Sequence, residues 1–136
     1  MKIVICGSMT ASKKMVEIEK RLNELGHVVV LPEFTHDYAN LDSLDEIRSE
    51  SSKNKIGNDL IREHFGKIKD GEAILVVNEE KKGIQSYIGG SAFLEIGFAH
   101  ILNKPIYLLN EVPEVSYKDE ILAMQPKLLN GDLNLI

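Results

Sequence analysis

A single cysteine, Cys6, leaves this chain without a partner for an internal disulfide, which points to a reducing compartment. No apolar run approaches the length that a bilayer requires, so no membrane partner is expected. The opening MKIVICGS passes directly into a strand pattern, with no charged segment, long apolar segment and small-residue cleavage site in succession. No signal peptide is therefore expected, and the cytoplasm is the expected location. A surplus of positive charge is also missing: the formal net charge is −5, and basic residues never cluster beyond two or three. A nucleic-acid polymer is excluded as the natural partner, because neutralising its phosphates takes a basic face. A small anion is still admissible, since a helix N-terminus binds one without net positive charge. Internal repeats, low-complexity segments, a Walker A loop, a GxGxxG turn and a GxSxG elbow are all lacking. His27, His36 and His100 show no mutual spacing for a metal, and with one cysteine no metal site or cofactor is expected.

What remains is a globular pattern: 136 residues, 43% of them hydrophobic, enough for one domain over 1–136 with a substantial core. Short apolar runs alternate with segments of helical periodicity. Ile3 to Cys6, Val28 to Leu31, Ala73 to Val77 and Pro105 to Leu109 read as buried strands, and Leu133 to Ile136 as a last edge strand. Between them, Met15, Ile18, Leu22 and Leu25 recur at helical spacing, and Gly26 follows as a C-cap. Ile56, Leu60, Ile61, Phe65 and Ile68 mark a second helix, Ser91 to Leu102 a third, and Tyr117 to Met124 a short fourth. Residues 33–53 are polar and weakly periodic, a loop with one short helix at most. The alternation predicts a doubly wound α/β domain, flavodoxin- or Rossmann-like, with about five parallel strands. Ligands of such folds lie beyond the carboxyl ends of the strands, here the loops after Cys6, Leu31, Val77 and Leu109.

Glu95 is the residue most out of place. It sits in SAFLEIGFAHIL, which is apolar almost all the way round and must be buried on most faces. A carboxylate there costs free energy unless it is paired or used. Its place near the helix N-terminus favours the ionised form, which suits a nucleophile or an electrostatic stabiliser. Capping of backbone amides or pairing with a cation is the structural alternative. The turn Gly7-Ser8-Met9-Thr10 joins the first strand to the first helix, and its amides and hydroxyls can hold a phosphate or a sugar hydroxyl. Gly89 and Gly90 permit close backbone approach ahead of the Glu95 helix, with Ser91 as its N-cap. His64 shares the face of Leu60, Ile61 and Ile68, where a histidine is either a satisfied core residue or a participant in catalysis.

Taken together, ICGSM at the first turn, the strand AILVVN and the segment GGSAFLEIGFAHILNKPIYLLN resemble the nucleoside 2-deoxyribosyltransferase family, including its branch of 2′-deoxynucleoside 5′-monophosphate N-glycosidases. The resemblance covers most of the chain, is strongest from Ile68 to Asn110 and weakest in 33–53. It implies that Glu95 attacks the anomeric carbon and displaces the base, and that Gly7-Ser8 contacts phosphate. It also implies a nucleoside or nucleotide as the small-molecule partner and a homodimer or higher homo-oligomer. In this chain DEILAM, Asp119 to Met124, occupies the place of the element that the family donates to a neighbour. The family's first-strand tyrosine is replaced by Val4 or Ile5, one aspartate by His64 and another by Gly89. Tyr87, Ser91, Asp59 and His64 are the candidates to stand in for them. Two alternatives are a phosphoribohydrolase resembling the lysine-decarboxylase-like proteins, whose GGxGTxxE signature GGSAFLE matches loosely, and a non-catalytic nucleotide sensor.

Overall fold

The structure is a computed structural model that describes residues 1–41, 43–49, 53 and 59–136. Five parallel strands form one sheet in the order β2-β1-β3-β4-β5: β1 (Lys2–Gly7), β2 (Val28–Val30), β3 (Ala73–Val77), β4 (Ile106–Leu108) and β5 (Lys127–Leu128). This is the flavodoxin-like order, whose direction reverses between β1 and β3. The helices are α1 (Ser12–Glu24), α2 (Thr35–Ala39), α3 (the described residues 44–49), α4 (Leu60–Asp70), α5 (Gly90–Ile101) and α6 (Lys118–Ala123).

Strand alternation divides the core in two. Ile3, Ile5, Leu75 and Val77 pack with Met15, Ile18 and Leu22 of α1 on one face. Val4, Cys6, Ile74 and Val76 pack with Ile68 of α4 and Ala92, Ile96 and Ala99 of α5 on the other. All five residues of β3 are buried, as expected of a parallel strand covered on both faces. Among the described residues, no helix is long and apolar enough to cross a membrane.

Three expectations from sequence need correction, and a fourth falls on residues that are not described. The strand after Gly26 is not buried: β2 pairs only with β1, and Val28 is 61% exposed at the sheet edge. An edge strand and a central one share the same apolar composition, so the sequence pattern did not distinguish them. The fifth strand is Lys127–Leu128, whereas Leu133–Leu135 forms a 3-10 turn capped by the Asp132 carboxylate, which accepts from the Asn134 amide at 3.0 Å. Two residues, both exposed, carry no apolar run for a reader to find. Two helical stretches, α2 and α3, occupy the segment read as a loop, although 42 and 50–52 lie outside the described residues. Ile56, taken as part of the second helix, is also outside them, and α4 begins at Leu60.

Candidate active site

Gly7 closes β1 with φ at +150°, a conformation that side chains disfavour. A Cβ there would lie 2.9 Å from both the Met15 side chain and the Val77 carbonyl oxygen. Glycine therefore lets the chain turn at once from the sheet into a 3-10 turn, Met9–Ala11. Ser8 caps that turn: its Oγ accepts from the Thr10 amide at 3.4 Å and lies 2.9 Å from the Thr10 hydroxyl. A third group reaches it from the β3–α5 loop, for Lys81 Nζ donates to Ser8 Oγ at 2.9 Å. Lys82 and Gly83, both at positive φ, make the tight turn that pairs Lys81 with Ile84 and aims the lysine at the first loop. Its ammonium also lies 5.9 Å from the centre of the Tyr87 ring. The loop is anchored by buried Asn78, which donates to the Glu111 carbonyl at 2.9 Å and accepts from the Asn110 amide at 2.9 Å.

The opposite wall comes from α4 and α5, which meet through an edge-to-face contact of Phe65 and Phe98 with ring centres 5.1 Å apart. Gly89, not Ser91, is the N-cap of α5, because the helix begins at Gly90 and takes Ser91 into its first turn. A Cβ on Gly89 would come within 3.1 Å of the Tyr87 ring, so glycine lets that ring lie over the helix start. One turn further on, Glu95 enters the interior with its side chain 15% exposed. His64 Nε2 lies 3.5 Å from Glu95 Oε2 and 3.6 Å from Cys6 Sγ. These three side chains come from α4, α5 and the end of β1.

Burial, helped by the charge of Lys67, pushes the His64 pKa down to about 4. The ring is therefore neutral at pH 7. Its contact with Glu95 is that of a neutral imidazole with a carboxylate, and placing the proton on Nε2 is the tautomer that serves it. His64 Nδ1 is buried with no hydrogen-bond partner among the described residues. Burial, reinforced by the neighbouring Glu95 charge and a hydrogen bond to it, drives the Cys6 thiol pKa up, so Cys6 faces Glu95 as a protonated donor.

Both walls enclose one cleft of about 330 Å³ at the carboxyl ends of β1 and β3. Gly7, Ser8, Met9 and Thr10 line it on one side; His64, Tyr87, Gly89, Gly90, Ser91 and Glu95 line the rest. Asp59 is not among the lining residues: its exposed carboxylate accepts from Arg62 at 2.7 Å, a bond that holds its pKa below the usual range. Several contributors escaped the sequence reading. Lys81 carried no periodic signal; its only mark was a place in a loop after a buried strand. Glu33 and Glu63 reach the cleft and pair with Lys67 at 3.6 and 3.0 Å, tying the loop after β2 to α4. Leu94 and Phe98 add an apolar surface.

No protein-family model and no curated protein sequence matches this chain. Among solved structures, it superposes on a 2-deoxyribosyltransferase from the psychrotolerant bacterium Bacillus psychrosaccharolyticus with a TM-score of 0.53. The two chains share one fold. The match covers 79% of this chain and 71% of the other at 19% sequence identity, so the likeness is one of architecture.

Proposed function

We propose that this chain is a divergent member of the nucleoside 2-deoxyribosyltransferase family and breaks the N-glycosidic bond of a nucleoside or nucleoside 5′-monophosphate. The observation that carries this reading is Glu95: a largely buried carboxylate at the wall of a cleft, flanked by neutral His64 and protonated Cys6. Cleaving the glycosidic bond develops positive charge on the sugar, which a fixed carboxylate stabilises. Glu95 attacks the anomeric carbon, and the C–N bond breaks with its electron pair leaving on the base. The resulting ester is then opened by water, giving free sugar, or by a second base, giving a new nucleoside. Ser8, the amides around Gly7, Thr10 and Lys81 hold the 5′ end, where an ammonium and two hydroxyls suit a phosphate. Leu94 and Phe98 offer the apolar surface that a base needs. The shared fold with a 2-deoxyribosyltransferase supports the reading.

Hydrolysis is the favoured outcome. Transfer requires water to be kept from the anomeric face while the ester waits for a second base. Val4, Ile5 and Gly89 stand where the family carries polar side chains, and fewer fixed polar contacts around the nucleophile admit water more readily. Incubating the protein with a panel of nucleosides and monophosphates and following base release tests the activity. Tight binding without release identifies a sensor instead.

Assembly is part of the same proposal. Phe65 of α4 and Ile101 of α5 are exposed outside the cleft, Ile101 to 79%. A second copy of the chain covers this apolar face.

A further inference from the structure

We propose that Cys6, His64 and Glu95 form a site for a divalent cation of the zinc class, entered from the cleft. The three donors differ in chemistry and arise from three separate elements, yet their ligand atoms all lie within 4.8 Å of one another. His64 Nε2 is 3.6 Å from Cys6 Sγ and 3.5 Å from Glu95 Oε2. The second is longer than a good N–H···O bond, about 2.7–3.2 Å, while the first is within hydrogen-bonding reach of sulfur. They match a tetrahedral ion, whose bond lengths of about 2.3 Å to sulfur and about 2.0–2.2 Å to nitrogen and oxygen set its donors roughly 3.3–3.6 Å apart.

Charge and access agree with the distances. A dication with one thiolate, one carboxylate and a neutral imidazole is electrically neutral, which a buried position favours. Without the cation the thiol keeps its proton beside Glu95. Binding therefore replaces the Cys6 S–H bond with a sulfur–metal bond and releases one proton to solvent. His64 is already neutral, and ligation through Nε2 moves its one ring proton to Nδ1. Cys6 closes the site from the sheet side, fully buried, while His64 and Glu95 line the cleft, which leaves a fourth coordination position on the cleft side.

The cation and the glycosyl group compete for one carboxylate: Glu95 cannot coordinate an ion and attack an anomeric carbon at once. Occupancy therefore switches N-glycosidic turnover off. Cation binding itself does not rest on that turnover, since it is measured without substrate.

The test is titration of chelator-treated protein with Co²⁺, whose thiolate complexes have a charge-transfer absorption in the near ultraviolet. One Co²⁺ per chain with this band, release of one proton, and displacement by Zn²⁺ are expected. Cys6→Ser should abolish the band, and His64→Gln and Glu95→Gln should weaken binding at least tenfold, each variant being checked for folding by circular dichroism. Absence of the band in wild type, or an unchanged band in Cys6→Ser, overturns the site. If the variants do not fold, X-ray absorption on zinc-loaded wild type decides: one sulfur at about 2.3 Å supports the site, and an all-nitrogen/oxygen shell overturns it. Loss of base release on adding Zn²⁺ is the functional arm. A protein that binds Co²⁺ through sulfur but releases no base from any nucleoside refutes the glycosidic reading and leaves the metal site standing.

Discussion

His64 Nε2 and Glu95 Oε2 lie 3.5 Å apart across the junction of α4 and α5, and this contact brings the only carboxylate of the apolar helix α5 against a neutral ring. An ion pair would lock the carboxylate's charge to a fixed cation. A neutral ring orients the carboxylate without adding a positive charge of its own.

Glu95→Gln keeps the shape of the side chain and removes the carboxylate proposed as nucleophile. The variant should fold like wild type and lose N-glycosidic turnover by about a hundredfold or more. Chromatographic assay of base release, with circular dichroism as the folding control, checks this. A folded variant with wild-type turnover removes Glu95 from the chemistry.

Lys81, which reaches Ser8 at 2.9 Å, should separate monophosphates from nucleosides. A hydrogen bond to a charged group contributes about 1.5–3 kcal/mol. Lys81→Met should therefore weaken binding of a nucleoside monophosphate by roughly ten- to a hundredfold, from the same range, and leave binding of the nucleoside nearly unchanged. Ser8→Ala should act in the same direction with smaller effect, because it removes one hydroxyl beside the lysine. Isothermal titration with both ligands is the measurement. Equal losses for the two ligands would move the phosphate elsewhere.

His64 makes stability depend on pH in a defined direction. Its pKa is about 4 in the folded chain against an ordinary 6.5, so between these values the unfolded chain binds more protons. Stability should fall as pH drops from about 6.5 toward 4 and lose nothing more from this group below that. At about 1.36 kcal/mol per unit the total is roughly 3 kcal/mol. Urea denaturation across this window in the presence of a chelator should show a shallower pH slope for His64→Gln than for wild type. Parallel slopes would show that the ring protonates without penalty.

Hydrolysis and transfer are separated by one incubation: a deoxynucleoside or its monophosphate with an excess of a second free base. Free sugar should dominate the products. Predominance of the exchanged nucleoside reverses the preference for water while preserving the role of Glu95.

The exposed face of α4 and α5 should be covered in solution. Light scattering at micromolar concentration should give a dimer or larger species, and Ile101→Glu should shift it to monomer without loss of helical signal. Ile101 is a suitable probe because it is the most exposed large hydrophobic residue among those described and does not line the cleft. A monomeric wild type counts against assembly.

The alternation of strands and helices, and with it the parallel five-stranded sheet, was legible along the chain. Apolar runs and 3.6-residue periodicity are properties of near neighbours along the chain. The same local logic marked Glu95, a charge in an apolar helix, and His64, on the buried face of another. It also placed Gly7 and Ser8 at the end of the first strand and Gly89 in the loop after the third, on the edge where α/β ligands lie. Which residues meet followed from tertiary packing. Strand alternation puts Cys6 on the same side as Val4, but the packing of α4 and α5 on that side is what brings a residue 58 positions away, His64, within 3.6 Å of its sulfur. The reading that one cysteine and unspaced histidines make a zinc site improbable considered spacing along the chain, whereas the ligand set proposed above depends on strand order and helix packing. Lys81 reached Ser8 through a tight turn whose direction no periodicity records, and Asp59 turned outward to Arg62 for the same reason. β5 was invisible because two exposed residues hold their place only by pairing with β4, an interaction between segments rather than within one.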